Sequence, residues 1–133
     1  MTEQRLGSTL DRALLLLQQR RFDLAEQELR QVLATDPSYF PAHAWLSLTL
    51  LEMKRYAEAE TEAEQAIHLA PDHPYGYFFL SRVFHQQDKL RQAEKAIAEA
   101  IRLNPQEANY FAVLAGIFAS QQQWEKVLQA AEQ

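Results

Sequence analysis

The sequence predicts an all-α fold, a right-handed α-solenoid built from antiparallel helix pairs. The first observation is a period of 34 residues, the interval at which prolines recur at Pro37, Pro71 and Pro105. The second is that small and bulky apolar residues recur at constant offsets between these prolines. The third is composition: 47% of the 133 residues are apolar and only three are glycine, as in an ordered chain with a continuous core. A helix-turn-helix unit of this length buries its apolar face only by stacking on copies of itself.

The period defines a single domain, residues 1–133, of about 3.75 repeats. The repeats are residues 6–39, 40–73, 74–107 and a truncated fourth repeat, 108–133. Each complete repeat holds two helices with a short connection, which makes neighbouring helices antiparallel. Eight helices are therefore predicted, over residues 8–20, 23–35, 39–54, 57–70, 74–87, 90–104, 108–121 and from 124 onward.

The first helix of each repeat is predicted from a small residue followed three positions later by a large apolar one, a spacing that places both on one helix face. The small residues are Ala13, Ser47, Ser81 and Ala115, and the large ones are Leu16, Leu50, Phe84 and Phe118. Pro74 is compatible with a first helical turn, because the N–H that proline lacks would have no partner there, and Asp72 precedes it as a capping residue.

The second helix of each repeat is predicted from a bulky residue followed three positions later by a small or branched one. The pairs are Phe22 with Ala25, Tyr56 with Ala59, Leu90 with Ala93 and Trp124 with Val127. In the complete repeats the closing proline ends this helix. Because the residue before a proline avoids the α conformation, we expect the sixth helix to end near Asn104.

These recurring positions resemble the tetratricopeptide repeat, a family whose 34-residue pattern has a small residue, a large one, two alanines and a proline at these places. The resemblance covers nearly the whole chain. The family's usual inter-helix glycine is replaced by Arg20, Lys54, Asp88 and Gln122. The resemblance implies a superhelix whose concave wall is formed by the first helix of every repeat, and a function as a scaffold for interactions between proteins.

The resemblance also implies which side chains face the concave groove. Several are aromatic, and together they form an apolar patch larger than a monomeric protein normally exposes. The predicted peptide-binding groove consists of Leu10, Leu14, Leu17, Trp45, Leu48, Leu51, Tyr75, Phe78, Phe79, Arg82 and His85. Two interpretations of its apolar members stay open. They serve as anchors for a partner, since buried aromatic residues dominate binding hot spots, or they pack the repeats against one another.

Some members of the family hold an acidic C-terminal tail with lysines, arginines and asparagines. The matching places here are Leu10, Leu14, Trp45, Tyr75 and Phe79. None of these can clamp a carboxylate. We therefore expect a protein or peptide partner that presents an apolar or amphipathic helix or an extended apolar segment, with Arg82 and His85 orienting an acidic or carbonyl group at its edge.

Composition and motifs argue against several other functions. A net charge of −5 opposes nucleic-acid binding, which draws its affinity from basic side chains. The chain has no cysteine, and its four histidines form no helical i, i+4 pair, so no metal or other cofactor is expected. No phosphate-binding glycine loop or nucleophile motif is present, so we do not expect an enzyme, although an adaptor domain of a larger enzyme is a further alternative. No apolar run is long enough for insertion into a membrane and no export signal is recognisable, so a cytoplasmic location is expected.

The fourth repeat stops within its second helix, before the polar capping helix that such arrays usually carry. We expect either that the natural chain is longer or that this end pairs with another copy. The alternative function is therefore self-association into a homo-oligomer, through the open C-terminal repeat or the groove. The predicted self-association edge consists of Trp124, Val127, Leu128 and Ala131.

Overall fold

The structure, a computed structural model, describes the backbone of residues 2–132 and the side chains of residues 5–132. Met1 and Gln133, the outermost residues of the predicted domain, lie outside the described residues. Within this range the chain forms seven helices and no strand. They are α1 (Thr2–Gln18), α2 (Phe22–Thr35), α3 (Phe40–Glu52), α4 (Tyr56–Leu69), α5 (Pro74–Gln86), α6 (Leu90–Leu103) and α7 (Ala108–Glu132). Consecutive helices pack in pairs, and α1, α3, α5 and α7 contact one another in series, which confirms the predicted all-α solenoid.

The turn within each of the first three repeats contains one residue in the left-handed conformation. Arg20, Lys54 and Asp88 have φ angles of 60°, 62° and 59°. In the second repeat the N–H of Arg55 then donates to the carbonyl oxygen of Leu50 at 2.9 Å, which satisfies one of the last carbonyl groups of α3. A side chain in this conformation costs roughly 1 kcal/mol relative to glycine. Packing of the second helix of the repeat must therefore offset that cost.

The fourth repeat lacks this turn, so the prediction of a separate eighth helix is wrong. α7 is one helix of 25 residues and runs through Gln122, the position equivalent to Lys54. Gln121, Gln122 and Gln123 are good helix formers, so the helix continues through the positions at which the earlier repeats turn. The first helix also begins earlier than expected, at Thr2 rather than at residue 8.

Small side chains at the repeated positions allow the helices to approach closely. Ala25, Ala59 and Ala93, which lie on the second helices, are fully buried. α5 approaches α4 closely at Gly76, where an added Cβ atom would lie 2.7 Å from Cγ1 of Ile67. A larger residue at this position would force α4 or the Ile67 side chain to shift. None of the helices in the described range is both long and apolar enough to cross a membrane.

Candidate functional site: two clefts of the concave wall

The cleft between α3 and α5 is filled by aromatic side chains, and we call it the filled cleft (Ala44, Trp45, Leu48, Tyr75 and Phe79). The Trp45 ring lies 5.1 Å from the Phe79 ring and 5.8 Å, edge-on, from the Tyr75 ring. Such tilted and edge-on pairs are favourable beyond the area they bury. The aromatic residues therefore pack the second repeat against the third, which is the packing interpretation of the two that the sequence left open.

Two predicted groove residues lie beneath the wall instead of on its surface, which corrects their assignment. Phe79 is only 2% exposed and packs with Ala44 and Ala66, whose small side chains leave the space that its ring occupies. Leu51 is 6% exposed and belongs to the core around the first two repeats. Neither side chain can touch a partner without a rearrangement of the repeats.

The other predicted groove residues remain at least partly accessible. Tyr75 is the most exposed of the aromatic ones, at 37%. Half-buried are Leu10, Leu14, Leu17, Trp45, Leu48, Phe78, Arg82 and His85. The Phe78 ring contacts two other rings at a tilt, that of Phe79 at 5.2 Å and that of Tyr110 in α7 at 4.9 Å. Phe78 therefore packs against both the filled cleft and α7.

A second cleft lies between α5 and α7. None of the side chains that line it fills it, and we call it the open cleft. Its volume is about 510 Å³. The lining residues are Phe78, Arg82, His85 and Gln86 of α5 and Asn109, Ala112, Val113 and Gly116 of α7. In each helix these four residues share one face, because each lies three or four positions from at least one of the others.

The open cleft is empty because α7 carries small side chains where α5 carries large ones. One period of 34 residues relates Phe78 to Ala112 and Arg82 to Gly116. An added Cβ atom on Gly116 would meet only Cε1 of His85, at an ordinary contact distance of 3.6 Å. The difference in bulk between the two helices therefore converts a packed contact between repeats into a cleft.

The open cleft contains one permanent cation and no carboxylate among its lining residues. The guanidinium of Arg82 lies 6.0 Å from the centre of the Phe78 ring and 3.6 Å from an Oε1 atom of Glu52 in α3, beyond hydrogen-bond distance. At the other end of the cleft, Nε2 of His85 and Oγ of Ser120 lie 2.8 Å apart. That hydrogen bond joins α5 to α7, while Arg82 keeps most of its donors free for another acceptor.

The residues that α7 contributes to the open cleft were not among the predicted site residues. The sequence does carry a signal for them. Where the third repeat has Tyr75 and Phe78, the fourth has Asn109 and Ala112. A loss of bulk at concave positions between neighbouring repeats predicts a cavity there, because the packing partner of the larger residues is removed.

His43 of α3 contacts both α4 and the loop that precedes α3. Its Nδ1 lies 2.7 Å from Oε2 of Glu62 in α4, and its Nε2 lies 2.8 Å from the carbonyl oxygen of Pro37. Both partners are acceptors, so the doubly protonated imidazolium satisfies both. The hydrogen bond to Glu62 raises the pKa of His43 above its usual value, and partial burial opposes this only in part. Among the described residues no group of three or more potential metal ligands occurs, and His43 is a structural contact.

The predicted self-association edge is exposed along α7. Trp124, Val127 and Leu128 are 50%, 57% and 60% exposed. In the second and third repeats the positions equivalent to Val127 are Ala59 and Ala93, both fully buried against their own repeat. The edge is thus apolar surface that earlier repeats cover and the straight α7 leaves uncovered.

Comparisons with known proteins agree with the repeat pattern. A family model for the tetratricopeptide repeat matches residues 16–76 and again residues 50–117. The first such domain of human RPAP3 is 17% identical, with a TM-score of 0.84 over 91% of this chain and 95% of that one. The first such domain of Spaghetti (RPAP3), bound to the HSP90 peptide SRMEEVD, is 18% identical, with a TM-score of 0.80 over 89% and 94%.

A third solved structure has the same fold and is dimeric. It is the Yersinia enterocolitica type III secretion translocator chaperone SycD, described as an alternative dimer. It is 16% identical to this chain, with a TM-score of 0.77 over 87% of this chain and 93% of that one. At these identities the likeness concerns the fold. No curated protein matches the chain in sequence.

Proposed function

Because the chain belongs to the tetratricopeptide repeat family, we propose that it is a protein-interaction scaffold whose concave groove binds an apolar or amphipathic segment of another polypeptide. The observation that carries the proposal is the accessible aromatic and apolar surface of the wall, from Trp45 and Tyr75 to the open cleft. A neighbouring structure of this fold, Spaghetti (RPAP3), holds an HSP90 peptide, which supports a peptide ligand.

The ligand proposed here differs in chemistry from the peptide in that structure. SRMEEVD carries several carboxylates, whereas this chain has a net charge of −5. At the places where some family members clamp an acidic tail, this chain has the apolar residues Leu10, Leu14 and Trp45, among others. We therefore expect SRMEEVD to bind no better than a scrambled peptide of the same composition.

The expected affinity is modest. Burial of two or three apolar anchors at roughly 1.5 to 3 kcal/mol each, reduced by the cost of association, gives a dissociation constant of about micromolar order. Such a contact exchanges quickly, as expected of a scaffold with replaceable partners.

The test is selection of displayed random 12-residue peptides on the immobilised chain, followed by titration of the selected peptides. Tyr75→Glu is expected to weaken binding about tenfold or more, because it places a charge on the apolar wall. Leu69→Glu in α4 is the matched control, since Leu69 is also 37% exposed but lies on a second helix. Equal binding by the two variants, or no enriched peptide, would overturn the groove as the binding site.

Self-association is the second candidate function, favoured by the exposed edge of Trp124, Val127, Leu128 and Ala131. We propose that a second copy of the chain covers this edge, and the SycD dimer shows a protein of this fold in a dimeric state. A gap of about 550 Å³ between the edge and the start of α6, lined in part by Leu90 and Arg91, offers space for a side chain of the second copy.

Light scattering at two protein concentrations tests this candidate. We expect the mean mass to rise with concentration for the wild-type chain and to stay monomeric for Trp124→Glu, which places a charge in the contact. Leu15→Glu serves as the control, because Leu15 is an exposed apolar residue of α1. A wild-type chain that stays monomeric at both concentrations would rule out the dimer.

A further inference from the structure

Arg82 stands at the junction of the two clefts. On one side its guanidinium approaches Glu52 of α3 at 3.6 Å, and on the other it belongs to the lining of the open cleft. Arg82 is therefore a cation that a polypeptide segment bound in the open cleft can reach. The position of Arg82 beside the apolar surface of the open cleft therefore restricts which partner segments can bind there.

The size and lining of the open cleft suit one large apolar side chain. It is a solvent-open depression of about 510 Å³, large enough to admit one aromatic side chain. Phe78 and Val113 provide apolar contacts, while Ala112 and Gly116 leave the space open. The amides of Gln86 and Asn109 at the rim can hydrogen-bond the backbone of a bound segment.

The charge of the open cleft favours a carboxylate beside that side chain. Glu52 forms an ion pair with Arg82 at 3.6 Å, beyond hydrogen-bond distance, so the guanidinium still has N–H groups that can donate to a second carboxylate. A carboxylate on a bound segment can form two parallel hydrogen bonds with the guanidinium, which is the stronger arrangement. The overall charge of −5 disfavours segments that carry many carboxylates.

We propose that the open cleft is a specificity pocket for an apolar side chain of a partner polypeptide, and that Arg82 pairs with one acidic side chain close to it in the same segment. The proposal rests on the proposed groove function and narrows the class of partner. The acid is a side chain and not a chain terminus, because this chain has the apolar residues Leu10, Leu14 and Trp45 where some family members clamp an acidic C-terminus.

The test uses the 12-residue peptides selected by display, whose C-termini are fused and therefore offer no free terminal carboxylate. The strongest binder is synthesised with an amidated C-terminus, as the acidic peptide and as its Glu→Gln or Asp→Asn form. Against the wild-type chain we expect the neutral form to bind roughly fivefold more weakly, the scale of one partly exposed ion pair. Against Arg82→Gln the two forms are expected to bind equally.

Two further variants test the apolar part of the pocket. Gly116→Leu fills the open cleft and is expected to weaken binding of both peptide forms about tenfold or more. Ala98→Leu, at an exposed position of α6, adds the same bulk elsewhere and is expected to have no effect. Circular dichroism of each variant reports whether the helices are retained. The substitution in the peptide needs no protein variant, so the proposal stays testable even if Arg82→Gln unfolds.

The outcomes separate this proposal from the one on which it rests. If peptides are selected and bind at Tyr75 but show equal affinity in their acidic and neutral forms, the role of Arg82 is overturned and the groove function stands. If the acidic preference is present but Gly116→Leu has no effect, the pocket is overturned. If a free C-terminal acid restores the affinity lost in the neutral form, the ligand is a chain terminus and the proposal is wrong. Absence of any selected peptide overturns both proposals.

Discussion

The filled cleft and the open cleft occupy equivalent places one repeat apart, and they differ in the size and charge of a few side chains. α5 presents Phe79 to α3, whereas α7 presents Val113 at the equivalent place to α5. In the first case the ring is buried at 2% exposure and joins two repeats, and in the second a cleft of about 510 Å³ remains. The comparison teaches that equivalent places on the concave wall of one repeat array can be filled by side chains in one repeat and left open in the next.

The largest expected difference between the clefts concerns truncation at equivalent positions. Phe79→Ala removes a buried ring and is expected to lower the free energy of unfolding by about 3–5 kcal/mol. Val113→Ala removes two methyl groups from a half-buried side chain and is expected to cost about 1 kcal/mol or less. Urea denaturation of both variants measures the difference. Similar losses would show that the two clefts are packed alike.

Replacement of an alanine by leucine tests the same difference in the opposite direction, at Ala44 in the filled cleft and at Ala112 in the open cleft. Ala44→Leu adds atoms where Phe79 and Ala66 already fill the space, so we expect a loss of about 1–3 kcal/mol in the free energy of unfolding. Ala112→Leu extends into the open cleft and is expected to change it by less than about 0.5 kcal/mol. Denaturation curves decide between these expectations. A comparable loss in Ala112→Leu would mean that the open cleft is closed in solution.

The two helical glycines sharpen the comparison further. Gly76→Ala puts a Cβ atom 2.7 Å from Cγ1 of Ile67, so α4 or the Ile67 side chain must shift and the thermal midpoint is expected to fall. Gly116→Ala meets only ordinary contact, so the better helix propensity of alanine should raise the free energy of unfolding by up to about 1 kcal/mol. Opposite signs in thermal melts are the expected result, and equal signs would contradict the difference in space.

The smallest effect concerns pH and belongs to the filled side alone, because the residue equivalent to His43 one repeat later, in α5, is Tyr77. The folded-state pKa of His43 is raised by Glu62, so its contribution to stability is fully present below the pKa of the unfolded chain and is lost as pH rises through the folded value. His43→Gln should therefore reduce the free energy of unfolding more at about pH 5.5 than at about pH 8.5. A loss that is the same at both values would show that His43 is not charged in its contact.

Much of the fold was predictable because its signals are local and repeated. The prolines mark the period, and buried alanines such as Ala59 and Ala93 occur where the spacing requires small residues. The candidate site was predictable only in part. The aromatic residues were assigned to the wall, but whether Phe79 lies on it or beneath it depends on Ala44 and Ala66, which belong to other helices.

The amino-acid sequence by itself determined the repeat length, the pairing of helices and the family, because each repeat carries the same helix-forming and small-residue positions. Only the tertiary structure decided that α7 continues through Gln122 and that one concave cleft is filled while the next is open. The reason is that a turn with a side chain in the left-handed conformation, or a ring between two helices, is stable only when the neighbouring repeat offers a matching surface.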